Sequence, residues 1–327
     1  MSSVVSCLCR SGLSPSRRRL SLVQITRRLS SSSLADSVAA DFLSQSQSAD
    51  PSTQIQSLDA NQLQRLSATL SRPELAKHLP QHGTPLPAGY HLAYFTPSQV
   101  EDELGRDGTD TTFNPPSPFT RRMWAGGELE WVGGGNQLRI GQEATETTRL
   151  TSAVGKKDRA GGEMVIVGVE KILQNEHGVV LVDKRNWIFR PEIELPLAPA
   201  SKPAPVPFPE GTYVRDFNQT PVTLFRFSAL TFNAHKIHYS REWCEQVEGH
   251  RNLVVHGPLN LINILNFWRD VQEGDSRPKM ITYRATSPLY VSEDYRIIMQ
   301  DEVNKVTEVK VVDSYGQVSM KASIESF

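Results

Sequence analysis

The sequence predicts an α+β protein built from two copies of one unit, an antiparallel sheet of long strands wrapped around a buried helix. Three observations carry this. Runs rich in β-branched and aromatic residues close each half: GEMVIVGVEKIL (162–173) and VVLVDKRNWIF (179–189), then DYRIIMQDEV (294–303), VTEVKVVDS (306–314) and QVSMKASIESF (317–327). A glycine turn precedes the last strand of both endings, His177-Gly178 and Tyr315-Gly316, and this weak internal repeat is the mark of a duplicated unit. Between the two lies ELPLAPASKPAPVPFPE (194–210), whose prolines and lack of period describe an extended linker.

Length and charge bound the function. A chain of 327 residues has room for about two domains. Its net charge of −1 gives no basic field for nucleic acid, and no apolar run approaches the ~20 residues of a membrane span. The three cysteines, Cys7, Cys9 and Cys244, form neither a disulfide framework nor a CxxC pair, which suits a reducing compartment.

In chain order, residues 1–35 carry Arg10, Arg17, Arg18, Arg19, Arg27 and Arg28, many serines, and no acid before Asp36. That composition describes a mitochondrial transit peptide, with RRLSSSS (27–33) as a processing site, and implies the matrix; a disordered basic tail is the alternative. Residues 36–80 form a helical segment. Its first part is ambiguous, but SLDANQLQRLSATL (57–70) reads as a helix capped by Asp59 with Leu63, Leu66 and Leu70 on one face. The first unit occupies 81–193. It holds FTRRMWAGGELEW (119–131), where Gly126-Gly127 lets backbone pass close to a neighbouring strand or a ligand, and a strand over Gln137–Thr151. The second unit, 211–327, opens with a strand over VTLFRFSAL (222–230) and continues after its helix with one over MITYRATSPLY (280–290).

The chemistry gathers at 231–268. Asn233, His235 and His238 stand close together, and His256-Gly257-Pro258 opens an apolar run to Trp268. Pro258 suits a first helical turn, and apolar residues on nearly every side predict a buried helix. Asn260, Asn263 and Asn266 form a stripe that bonds buried groups or lines a ligand tunnel. The unpaired N–H groups at the helix start, backed by its dipole, would polarise a carbonyl, and Gly257 permits close approach.

At these residues FSALTFNAHKIHY (227–239) resembles the active-site motif of MaoC-like (R)-specific enoyl-thioester hydratases and dehydratases. Asn233 stands at the position of the family Asp, His235 at that of its Asn, His238 at that of its His, and Phe232 replaces a Gly. LVVHGPL (253–259) is similar to the second motif, whose glycine supplies an oxyanion hole, here Gly257. With GYHLAYF (89–95) and NPPSPFTRRMWAGG (114–127), the likeness covers about residues 80–327 and extends to a two-domain subgroup. That subgroup contains mitochondrial 3-hydroxyacyl-thioester dehydratases and mesaconyl-C4-CoA and itaconyl-CoA hydratases.

The resemblance implies a double hot-dog: two antiparallel sheets, each wrapping a central helix, packed as a pseudo-dimer, with the catalytic residues in 211–327. It implies reversible hydration of an acyl thioester on CoA or acyl carrier protein; with no acid among Asn233–His238 to support metal histidines, neither metal nor cofactor is expected. One chain could supply the paired sheet that single-domain relatives build as dimers, and a homodimer of the whole is compatible with it.

The expected roles follow from the reaction. Gly257 N–H stabilises the enolate oxygen, neutral His238 moves the proton, and Asn233 orients the water, since an amide is no base. His235 is a second catalytic group or positions the loop, and His256 packs or bonds under the helix start. Asn260 and Trp124 are candidate substrate contacts. Arg121 and Arg122 are candidates for a CoA or carrier phosphate, and Arg284 for a substrate carboxylate if it points inward. The competing classes are a hot-dog thioesterase, for which VVHGPLNLINIL offers no carboxylate, and a non-catalytic acyl-binding protein, which Asn233 favours.

Overall fold

A computed structural model describes residues 33–133, 135–272 and 276–327. The expected leader lies almost wholly outside them. Helix α1 (Leu34–Gln47) starts just inside its expected boundary, where Ser33 and Asp36 form a reciprocal capping box. It covers the sheet through Ala35 and Ala39, and its first residues rest on Gly155, where a Cβ would strike Ala35 and Asp36.

The strands are β1 (Ser52–Ser57), β2 (Arg121–Trp131), β3 (Glu143–Lys157), β4 (Glu163–Asn175) and β5 (Gly178–Arg190), then β6 (Tyr213–Asn218), β7 (Pro278–Ala285), β8 (Asp294–Met299), β9 (Val306–Asp313) and β10 (Val318–Ser326). They form one ten-stranded sheet in the order β1-β3-β4-β5-β2-β7-β10-β9-β8-β6, with every neighbouring pair antiparallel. Counted within its own half, each set of five has the same order, first-third-fourth-fifth-second. The halves meet along their second strands, with Gly126 opposite Arg284 and Glu130 opposite Met280. The two expected sheets are thus joined edge to edge into one. The double glycine serves that seam: a Cβ on Gly126 would strike the Tyr283 carbonyl of β7, and one on Gly127 the Lys184 carbonyl of β5.

Between β6 and β7 come α4 (Pro221–Leu230), the short α5 (Arg241–Trp243) and α6 (Gly257–Val271). Helix α6 is buried from Leu259 through Trp268, as its apolar circumference demands. The Asn stripe divides. Asn263 and Asn266 donate to the hydroxyls of Tyr295 and Tyr90, at 3.4 and 3.3 Å, while the Asn260 oxygen has no partner. In the same place in the first half stand α2 (Ala60–Thr69), α3 (Pro73–Ala76) and 3-10 turns at Tyr90–Ala93 and Glu101–Glu103. Among the described residues that half has no counterpart of α6. Asp59 caps α2 through its bond from Gln62 N–H, as the sequence indicates.

Two local expectations are corrected. VTLFRFSAL is helix α4, not a strand: Thr220 accepts from Thr223 N–H, Pro221 occupies the first turn, and Leu224, Phe227 and Ser228 fall on one buried face. The strand expected over Gln137–Thr151 begins at Glu143 and runs to Lys157, because Leu138 and Ile140 pair with 83–86 and 139–142 then turn, with Gly141 at φ +88°.

Candidate active site

Helix α4 ends at Leu230, and Thr231 with left-handed Phe232 turns the chain into Asn233, whose N–H donates to the Ser228 carbonyl. The Asn233 side-chain oxygen accepts the His235 N–H at 3.1 Å, and one 3-10 turn (Lys236–His238) delivers His238. From the first half, the turn at 105–109 clasps this loop. Lys236 N–H donates to the Asp107 carbonyl at 2.8 Å, and Gly108 crosses so closely that a Cβ would strike the Ala234 carbonyl.

His238 is 7% exposed and donates from Nδ1 to the Val254 carbonyl at 2.7 Å. A carbonyl only accepts, so this bond fixes the proton on Nδ1 and leaves Nε2 as the free acceptor. Burial, aided by neighbouring His235, lowers its pKa to about 3, so the ring is neutral at working pH. It stacks on His256 with centroids 3.6 Å apart, and His235 meets its edge at 5.4 Å. His256 is fully buried, bonded from Nε2 to the Ser228 hydroxyl at 2.9 Å, and held neutral by burial. It supports His238 from beneath and is not on the cleft wall.

A cleft of about 1640 Å³ runs past these rings, larger than the ~300–1,000 Å³ of an ordinary small-molecule pocket. It brings together Asn233, His235, His238, Gly257, Asn260, Arg121, Arg122 and Trp124. Gly257 begins α6 without a side-chain cap, so its N–H belongs to the free end of the helix. Trp124 packs over it: a Cβ there would lie 2.9 Å from Cδ1. Arg121 is partly buried with its Nε unpartnered, and burial lowers its pKa; Arg122 pairs with Asp110 at 3.2 Å. Arg284, like His256, stands apart from these. It is exposed on β7 and lies outside the cleft lining.

The sequence reading missed several charged residues. Asp107 and Glu248 lie 3.5 and 3.9 Å from His235 Nε2. Elsewhere on the cleft wall, Glu146 pairs with Lys171 at 2.6 Å, and Arg185 binds Asp183, which lies behind the lining and also meets His91. GRDGTD (105–110) reads only as a turn, and nothing in it points to His235. Among the described residues, no group of three or more His, Cys, Asp or Glu is placed to hold a metal ion, and no helix is long and apolar enough to cross a membrane.

Residues 89–291 match the model of the hydroxyacyl-thioester dehydratase type 2 family. The chain belongs to that family, whose members are hydro-lyases. It is 31% identical to a mesaconyl-C(4)-CoA hydratase of Chloroflexus aurantiacus over 79% of this chain and 89% of that one. It is 28% identical to a mitochondrial hydroxyacyl-thioester dehydratase type 2 of Schizosaccharomyces pombe, over 74% and 87%. Among solved structures, a MaoC-like dehydratase from Phytophthora capsici superposes with a TM-score of 0.64 at 15% identity, covering 88% of this chain and 98% of that one. That likeness identifies the hot-dog fold.

Proposed function

We propose that the protein reversibly hydrates an α,β-unsaturated acyl thioester to the 3-hydroxyacyl thioester in mitochondria. The observation that carries this is the fixed tautomer of His238, whose neutral ring lines the cleft with Nε2 as its free acceptor. In hydration, water gives a proton to Nε2 while its oxygen bonds to Cβ. The C=C electrons move onto the thioester oxygen, which the Gly257 N–H and the α6 dipole stabilise. Nε2 then returns its proton to Cα as the carbonyl re-forms. Burial disfavours the imidazolium, so the proton is held only while the enolate beside it lasts. Dehydration is the reverse.

The names of the Chloroflexus and fission-yeast relatives support thioester hydration, the latter and the basic leader support mitochondria, and the shared strand order of the halves supports a double hot-dog pseudo-dimer. Arg121 and Arg122 at the cleft favour a phosphate-bearing carrier, CoA or acyl carrier protein. Glu146, Lys171 and Arg185 in the cleft lining favour a short polar acyl group over a long aliphatic one.

The test is loss of enoyl-thioester absorbance with crotonyl-CoA, a longer enoyl-CoA and mesaconyl-CoA, with His238→Ala as control. Turnover lost in the mutant supports the reading, and the preferred substrate selects the acyl class. Free CoA released without hydration would convert the reading to thioesterase. An unchanged rate in His238→Ala would remove His238 from the chemistry.

A further inference from the structure

We propose that Asp107, with Glu248, fixes His235 in the tautomer that binds the reacting water, so that the water is held between two imidazoles. This rests on the hydratase reading above. A water attacking Cβ must lose one proton and have its other O–H held, which takes two acceptors. His238 Nε2 is one. Asn233 has one lone pair of its side-chain oxygen committed to the His235 N–H, which turns that oxygen toward the backbone, and its NH2 group only donates.

His235 fits the vacancy. It lines the same cleft and stands edge-on to His238, with the rings at 80°. Its Nε2 faces the Asp107 Oδ2 and Glu248 Oε1 at 3.5 and 3.9 Å. Ionised carboxylates only accept, so the proton belongs on Nε2 and the Nδ1 lone pair on the other edge of the ring. Both separations exceed a normal hydrogen bond and Nε2, like the Asp107 Oδ2, has no hydrogen-bond partner, so the two buried groups are each other's nearest complement.

Both carboxylates are held for this task. Asp107 is 7% exposed, its Oδ1 accepts from Thr109 N–H at 3.0 Å and Thr109 Oγ1 at 2.6 Å, and its Oδ2 has no hydrogen-bond partner. Glu248 accepts from Trp243 Nε1 at 2.8 Å. Burial pushes its carboxyl up, but His235 and Trp243 outweigh this and hold it at about 2, so it stays ionised. Arg121, His250, His238 and Cys244 are the other titratable groups that interact with Glu248. Asp107 is therefore a positioning residue from the first half that makes up for the carboxylate missing at Asn233.

Asp107→Asn separates this role from simple loop anchoring. The variant keeps an oxygen for Thr109 and turns an amide NH2 toward Nε2, which must then accept, moving the ring proton to Nδ1. The expected result is a kcat about 100-fold lower with KM within about twofold. Side-chain 15N shifts of His235 report Nε2–H in the wild type and Nδ1–H in the variant, with an unchanged melting temperature. Glu248→Gln moves kcat in the same direction, while Thr109→Ala, which leaves the carboxylate, costs less and keeps the Nε2–H signature. A wild-type His235 protonated on Nδ1 overturns the proposal, as does an Asp107→Asn enzyme with wild-type kcat. If Asp107→Asn does not fold, the wild-type spectrum and Glu248→Gln decide. Absence of turnover in the wild type would instead count against the hydratase reading, and the spectrum would still judge the role of Asp107.

Discussion

Gly257→Ala tests the oxyanion assignment. The added Cβ would lie 2.9 Å from Trp124 Cδ1 and 3.0 Å from Cγ. Carbon atoms rest at about 3.5–4.0 Å, so the ring or the first turn of α6 must move by about 0.5–1 Å. A misplacement of that size costs about 100-fold in rate, and losing one oxyanion donor costs about 100- to 1,000-fold. The expected kcat is therefore about 100-fold lower, with a stability loss of about 1–3 kcal/mol from overpacking. Enoyl-thioester absorbance measures the first and urea unfolding the second. Trp124→Ala removes both crowding atoms, so in that background Gly257→Ala should cost about tenfold or less, a coupling of at least ~1.4 kcal/mol. A Gly257→Ala enzyme with wild-type rate, or an equal penalty in both backgrounds, would refute the placement of the oxyanion at this N–H.

The remaining predictions concern pH and the core. Because His238 titrates at about 3 when folded against 6.5 when free, the unfolded chain binds more protons between these values, and stability falls as pH drops from 6.5 toward 3. His238→Gln flattens that slope in pH-dependent urea unfolding, while the wild-type kcat/KM shows no inflection near 6.5 from this group. Asp183, fully buried, is held well below the usual carboxylate range because Arg185 and His91 outweigh its burial; its stabilisation is present above the ordinary Asp range and lost below it. Asp183→Asn is expected to cost about 3–5 kcal/mol in urea at neutral pH. Leu261→Ala, at the fully buried centre of α6, is expected to cost about 2–5 kcal/mol in the same assay.

The parts legible in the sequence are those governed by local physics. An apolar circumference announced α6, Asp59 announced α2, and the spacing of Asn233, His238 and Gly257 placed them on one cleft. VTLFRFSAL misled because β-branched and aromatic residues dominated the reading, while the Thr220-Pro221 helix start carried the information. The direction of Arg284 was illegible because a strand pattern alone does not say which face is covered, and here its face is exposed. Asp107 was illegible for a deeper reason: it reaches His235 only through the fold, and a turn sequence encodes its own bend but not what the bend will touch.

The clasp of residues 105–109 on 233–238 has a consequence for inheritance. The seam between β2 and β7 is a backbone ladder relieved at one point by Gly126, whereas the clasp needs both Gly108 over the Ala234 carbonyl and Asp107 beside His235. A recombination event within the 194–210 linker would thus exchange halves whose sheets still join but whose loops no longer interlock, giving descendants that fold before they catalyse. Residues 107, 108, 234 and 235 are accordingly expected to change together across lineages, as one inherited unit split between two distant stretches of the gene.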